Sequence, residues 1–255
     1  LDMALKEQTQ EVFDYLVEHI TTKKEQVNNT IKGTQFHMPK FAFSGACAGC
    51  GETAYIKLLT QLFGEYLVIA NATGCSSIYG ASMPSMPYTI PWASSLFEDN
   101  AEYGYGMKVA FDTIQNRLMK RMKTLIKENN QNRELLEEYI ENSSNYEITK
   151  KVYESLDYSV LPEEFTTLKE YLPKRTYWMI GGDGWAYDIG FSGIDHVLAS
   201  NDDINILVLD SQVYSNTGGQ ASKASPKGAI ASFASSGKKT AKKDLARIAL
   251  SYPNA

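Results

Sequence analysis

The stretch "TYWMIGGDGWAYDIGFSGIDHVLASNDDINILVLD", residues 176 to 210, decides the fold. "TYWMIGG" reads as a strand and "DGWAYDIGFSGIDHVLAS" as a loop followed by a helix. "INILVLD" reads as a second strand of fully buried type. Strand, helix and strand at this spacing make a βαβ unit, which implies a parallel sheet and a right-handed crossover. Ligands of such sheets sit beyond the carboxyl ends of the strands. Two glycine-rich loops lie there: "GGDGWAYDIG", starting at Gly181, and "SQVYSNTGGQASKASPKGA", starting at Ser211.

Working outward, residues 3 to 27 carry Val12, Phe13, Leu16, Val17 and Ile20 at helical spacing, so an amphipathic helix is expected. Residues 28 to 50 hold Gly33, Pro39, Gly45 and Gly49 and read as a connecting arm. "GETAYIKLLTQLF" suits a helix stopped by Gly64, and "EYLVIA" a short buried strand. The segment from Asn71 to Ser95 is rich in Gly, Ser and Pro, and long loops in compact domains are often functional. Residues 96 to 172 look helical, with Leu118, Met119, Met122, Leu125 and Ile126 on one stripe, and resemble an insertion. "KKDLARIALSY" begins another helix. The division expected is 1–40, an N-terminal helix and arm, and 41–255, one domain containing the insertion.

The 255 residues suffice for one sizeable core. A net charge of −5 leaves no basic excess for nucleic acid. Lys238, Lys239, Lys242 and Lys243 read as a solvated face. No run of eighteen apolar residues spans a membrane, and no signal peptide opens the chain. A start at Leu1 without Met reads as a piece of something longer. Cys47, Cys50 and Cys75 are too few, and odd in number, for a disulfide framework. A reducing, cytoplasmic compartment is expected, with the thiols either inert core residues or ligands.

Asp183 stands between Gly182 and Gly184, where the backbone can approach a ligand. Its carboxylate is a hard oxygen donor for Mg²⁺, which bridges protein and phosphate oxygens; a plain turn is the competing reading. The 26 residues from 185 to 210 take the chain through one helix and back along an adjacent strand. Ser211 then emerges at the same sheet edge, its hydroxyl a second ligand and the Val213 carbonyl a third. Asn216 follows, beside whatever the phosphates carry.

Gly-Asp-Gly, about 25 residues and a polar ligand together resemble the thiamine diphosphate motif. That motif usually ends Asn-Asn; here Ser211-Gln212 stands, which is similar to the 2-oxoacid:ferredoxin oxidoreductases, where a Thr occupies the first place. The string from Gly181 to Ala229 resembles the pyruvate:ferredoxin (flavodoxin) oxidoreductase family in particular. The resemblance covers about residues 30–95 and 174–255. It implies an α/β, doubly wound parallel sheet that binds thiamine diphosphate through Glu52, Cys75, Gly182, Asp183, Gly184, Trp185, Ser211, Gln212, Val213, Tyr214, Ser215 and Asn216. Asp183, Ser211 and Val213 are then the Mg²⁺ ligands, and Asn216 lies beside the reacting carbon.

The same resemblance gives the cysteines a role. "FSGACAGCGET" and "NATGCSSIYGASMPSMPY" look like the segments that hold a [4Fe–4S] cluster, and Cys47, Cys50 and Cys75 match three of its four thiolates. The fourth is expected beyond Ala255. Zinc held with His37 and three inert buried thiols remain as rival readings. The implied reaction is oxidative decarboxylation of pyruvate with coenzyme A, giving acetyl-CoA and CO₂, with electrons passing to ferredoxin or flavodoxin. The implied assembly is a homodimer. A glutamate that activates the cofactor is not evident here, and in the family it comes from another domain. Two other classes stay open: a non-redox thiamine-dependent decarboxylase, and a fragment that binds cofactor or partner without turnover. Only Ile90 and Pro91 separate Thr89 from Trp92, where the family has a longer loop.

Overall fold

The computed structural model describes residues 3, 6–28, 30–81 and 86–253. The side chains of Phe13 and Val17 of the expected N-terminal stripe, and residues 82–85 of the segment after Cys75, lie outside what is described. In chain order the main elements are α1 (Gln10–His19), α2 (Glu52–Phe63), β1 (Leu67–Ala72), α3 (Cys75–Gly80), β2 (Trp92–Ser95) and α4 (Asn100–Lys127). There follow α5 (Arg133–Glu141), α6 (Tyr146–Ser155), β3 (Thr176–Gly181), α7 (Asp183–Ala186), α8 (Phe191–Ser200), β4 (Asn205–Val208) and α9 (Leu245–Ala249).

The four strands form one parallel sheet in the order β2-β1-β3-β4. From β1 the chain crosses to β2 on one side and returns to β3 on the other. The order therefore reverses between β1 and β3, which opens a crevice at their carboxyl ends. Every residue of β1 is buried, because helices cover both faces. Leu67 and Ile69 point to one face, against Ile56 and Leu59 of α2, Tyr79 of α3, and Phe41 and Tyr88. Ala70 and Ala72 point to the other, with Met179 of β3, Ala101 of α4, and Ile194 and Val197 of α8. This alternation places helices on both sides, the doubly wound α/β arrangement expected.

Several local expectations shift. The first long helix is shorter than 3–27: α1 ends at His19 and a 3₁₀ turn follows at Lys24–Gln26. Val12, Leu16 and Ile20 are exposed, so their stripe faces no core among the described residues. The strand expected at "EYLVIA" begins two residues later, because Gly64–Tyr66 form a 3₁₀ turn after the left-handed Gly64. β4 is half-buried throughout, not fully buried, because it is the sheet's edge strand. The helical stretch from Asn100 does two jobs. The start of α4 lies on the sheet, where Asn100 donates to the Ala70 carbonyl (3.2 Å), and a Cβ on Gly104 would come within 3.0 Å of Ala70 and Met179. Its second half joins α5 and α6 in a separate cluster built on Leu118, Met122, Leu125, Leu136, Tyr139 and Val152.

Candidate functional site

Register decides what meets at the crevice. Asn71 of β1 lies opposite Ile180 of β3, and Gly181 opposite Val208 of β4. The three strands thus end level, and Leu209 extends the β3–β4 pairing by donating to the Gly181 carbonyl (2.9 Å). Thr73–Cys75, Gly182–Trp185 and Ser211–Asn216 all leave the sheet at one edge. All but Gln212 line one cavity of about 570 Å³, joined by Glu52 from the start of α2.

Asp183 sits at its floor, 3 % exposed. Its Oδ2 accepts from the Ser222 hydroxyl (2.8 Å) and its Oδ1 from the Ser211 backbone N–H (3.2 Å). Burial pushes its carboxyl up from the ordinary carboxylate range; the Ser222 hydrogen bond pulls it back, and the nearby Asp210 raises it further. A buried carboxylate in that state is short of positive charge. The Ser211 hydroxyl donates to the Val213 carbonyl (3.1 Å), with the Ser215 hydroxyl 3.4 Å from both oxygens. Octahedral Mg²⁺ with Mg–O near 2.1 Å holds neighbouring ligands about 3 Å apart, so this oxygen pair suits adjacent positions. Gln212, between them, has a left-handed φ of 64°, a conformation uncommon outside glycine. Its carbonyl accepts from the Ser225 hydroxyl.

Packing by itself calls for glycine at 184: a Cβ there would lie 2.5 Å from the Tyr214 ring. At Gly182 the nearest atom to such a Cβ is 3.8 Å away, so that side of Asp183 is open. Glu52 is half-buried and accepts from the Tyr79 hydroxyl (3.2 Å). Burial raises its pKa, the Tyr79 bond lowers it, and the charge of Asp183 raises it. Glu52 therefore lies within reach of the Asp183 charge.

Of the expected site residues, Glu52, Cys75, Gly182, Asp183, Gly184, Trp185, Ser211, Val213, Tyr214, Ser215 and Asn216 line this cavity; Gln212, Cys47 and Cys50 do not. The cysteines are all free thiols, Cys47 exposed and the other two half-buried. The Cys50 N–H donates to the Cys47 carbonyl (3.0 Å), closing the Cys-x-x-Cys into a turn. Burial raises the Cys75 thiol, and Glu52, Cys47 and Cys50 raise it further, so the three thiols share one neighbourhood. Among the described residues no three His, Cys, Asp or Glu side chains form a ready metal site. The thiols stand near one another without being gathered, and His37 does not complete a zinc site with them.

Residues the sequence reading did not single out include Ser222, Tyr79, Thr73, Phe97 and Phe233. Phe233 carried no signal in the sequence beyond its isolation in a polar loop, yet it stands at the cavity with a left-handed φ of 64°. The lysines also differ from a simple solvated face. Lys238 donates to the Ser225 carbonyl (2.6 Å), Lys242 pairs with Asp210, and Lys243 donates to the Tyr187 carbonyl (3.2 Å). They fasten the loop against the strand ends, while Lys239 is exposed.

Residues 166–254 match the family described as "Thiamine pyrophosphate enzyme, C-terminal TPP binding domain". Over 99 % of its length the chain is 45 % identical to a pyruvate-flavodoxin oxidoreductase of Trichormus variabilis, and over 88 % it is 48 % identical to a pyruvate:ferredoxin oxidoreductase of Moorella thermoacetica. This chain is related to the pyruvate:ferredoxin and pyruvate-flavodoxin oxidoreductases. It covers 23 % and 21 % of those two relatives, so it spans less than a quarter of their length. A pyruvate dehydrogenase [NADP(+)] of Cryptosporidium parvum is 42 % identical over 94 % of the chain and 15 % of its own length. The alignment with the Trichormus oxidoreductase runs over 279 positions against 255 residues here, so that relative carries residues within the matched stretch that this chain lacks.

Proposed function

We propose that this chain is the cofactor-binding part of a pyruvate:ferredoxin or pyruvate:flavodoxin oxidoreductase, acting with further domains of a longer protein. The reaction is the oxidative decarboxylation of pyruvate with coenzyme A to acetyl-CoA and CO₂. The observation that carries this reading is one cavity beyond the strand ends, where Glu52, Cys75, Asp183, Ser211, Val213 and Asn216 meet from separate parts of the chain. The 45 % identity to the oxidoreductases supports the substrate.

Thiamine diphosphate, when bound, supplies the carbanion stabilisation that decarboxylation needs. The chain's own residues do the holding. Asp183, the Ser211 hydroxyl and the Val213 carbonyl fit Mg²⁺, which takes oxygen donors and keeps one or two carboxylates. A divalent cation there offsets the unfavourable burial of the Asp183 charge. Glu52, half-buried and held by the Tyr79 hydroxyl, lines the same cavity and would contact the cofactor there. Asn216 is exposed and lines the cavity, and would lie beside the reacting end of the bound cofactor.

Cys47, Cys50 and Cys75 provide three thiolates toward a [4Fe–4S] cluster, which takes four; the fourth comes from elsewhere in the longer protein. Cys75 lines the cavity, so a cluster held by it would accept electrons close to a cofactor bound there. Electrons leave to ferredoxin or flavodoxin. The working unit is a homodimer in a reducing cytoplasm; among the described residues no helix is long and apolar enough to cross a membrane. Residues 41–255 form the cofactor domain, with the helices of about 96–172 as its insertion.

Calorimetric titration of the chain with thiamine diphosphate, with and without Mg²⁺, tests the reading. Binding is expected only with the metal. Absence of binding at saturating Mg²⁺ overturns it.

A further inference from the structure

We infer that Phe233 is a contact for the ring portion of the cofactor, the part beyond the diphosphate. The inference deepens the proposed function and rests on its cavity. Among the described residues that line the cavity, Phe233 and Ile189 are the large apolar ones left exposed, at 94 % and 59 %. A phenyl ring placed so far out adds little to the core, and it gains from the hydrophobic effect only when something covers it.

The backbone holds the ring there. The Ala234 N–H donates to the Ala231 carbonyl (2.9 Å), which makes Phe233 the third residue of a tight turn. Its φ of 64° is left-handed, and glycine is the residue that a positive φ at this place of a turn ordinarily takes. A bulky side chain is strained in that conformation, and strain of this kind collects at ligand sites. The turn is also fastened to its neighbour. The Ser232 N–H donates to the Gly219 carbonyl (2.9 Å), the Ala221 N–H to the Ser232 carbonyl (3.1 Å), and the Ser232 hydroxyl to the Gly218 carbonyl (3.0 Å). Phe233 therefore stands on a fixed base.

The same bonds fix the end of the cavity to which Phe233 belongs. Gly218 and Gly219 directly follow Asn216 and Thr217, which line the cavity. Ser232 is thus tied to the Asn216 turn, whereas the proposed Mg²⁺ ligands Asp183, Ser211 and Val213 lie at the strand ends. Thiamine diphosphate is anionic at one end and carries a cationic thiazolium and an aromatic pyrimidine at the other. An aromatic face offers that second end apolar area and attraction for its positive charge. It offers a diphosphate neither a hydrogen-bond donor nor a positive charge.

The test uses the 255-residue chain and two probes, thiamine diphosphate and inorganic diphosphate. Each is titrated by calorimetry at saturating Mg²⁺ into the parent, Phe233→Ala and Phe233→Tyr. The parent is expected to bind thiamine diphosphate more tightly than inorganic diphosphate. Phe233→Ala is expected to weaken thiamine diphosphate about tenfold, as for the loss of one largely covered apolar side chain, and to leave inorganic diphosphate unchanged. Phe233→Tyr keeps the ring and is expected to keep the parent ratio of the two affinities. Unchanged thiamine diphosphate binding in Phe233→Ala, equal loss for both probes, or a tyrosine variant that behaves like the alanine one overturns the ring contact while leaving the diphosphate site standing. So does a parent that binds the two probes equally well. A parent that binds neither probe overturns the site reading and this inference together.

Discussion

The two ends of the sheet treat carboxylates in opposite ways. At the carboxyl end, burial raises both Asp183 and Glu52, and the charge of Asp183 raises Glu52 further. At the amino end, Glu65 lies in the turn before β1 between Lys40 (3.3 Å) and Lys150 (3.2 Å), and these hydrogen bonds hold its pKa below the ordinary value. One end buries its carboxylates with hydrogen bonds alone; the other pairs its carboxylate with lysines at the surface. The contrast teaches where stability and function part. A fold tolerates locally unfavourable groups where a ligand will meet them, and it is secured elsewhere.

Asp183→Ala breaks the comparison most strongly. Magnesium-dependent binding of thiamine diphosphate is expected to weaken at least 100-fold, about 2.7 kcal/mol, measured by calorimetry. Asp183→Asn separates function from stability. A carboxyl whose folded pKa is raised binds more protons in the folded state, so the stability of the metal-free parent falls as pH rises from near 3.8 through that raised value. The asparagine variant is expected to lose this part of the pH slope and to melt no lower than the parent near pH 7 without metal. A clear drop in its melting temperature would show that Asp183 is a structural anchor instead.

Gly181→Ala tests how much of the carboxyl end's shape is packing. A Cβ there would lie 2.6 Å from the Ala72 Cβ and from the Trp185 ring. Both are buried against the sheet, so overpacking of about 1–3 kcal/mol is expected, read from the denaturation midpoint. An unchanged midpoint would mean that this corner is loosely built.

The thiols sharpen the comparison, since they belong to the same end, Cys47 and Cys50 in a loop and Cys75 at the start of α3. Thiolate character and exposure set reactivity. Cys47 is exposed, whereas Cys75 is half-buried with a raised pKa. Alkylation resolved by mass spectrometry is expected to modify Cys47 well before Cys75. Equal rates would contradict the buried placement of Cys75.

Glu65→Gln should have the smallest effect. Its depressed pKa contributes stability that is present above about pH 4.5 and lost as pH falls through the lowered folded value. The pair is mostly exposed, so the loss is no more than about 1 kcal/mol and shrinks with salt. Cofactor binding should not change; if it does, the two ends are coupled.

The residues by themselves determined the parallel α/β layout and the edge where ligands meet. Strand and helix periods are local, and the 26 residues between Gly184 and Ser211 suffice for one crossover, so Asp183 and Ser211 had to emerge together. The glycine stop at Gly64 and the left edge of α2 were legible for the same local reason. What tertiary structure decided lies across space. β4 is half-buried because nothing pairs its outer side, which no property of "INILVLD" reveals. The first turns of α4 bear on the sheet because small residues, Ala101 and Gly104, let the helix approach. Ser222 meets Asp183 through an irregular loop that has no period to read. The three cysteines were legible as a spacing, but their distances depend on loop conformation, and thiolate sites are commonly completed only when the metal binds.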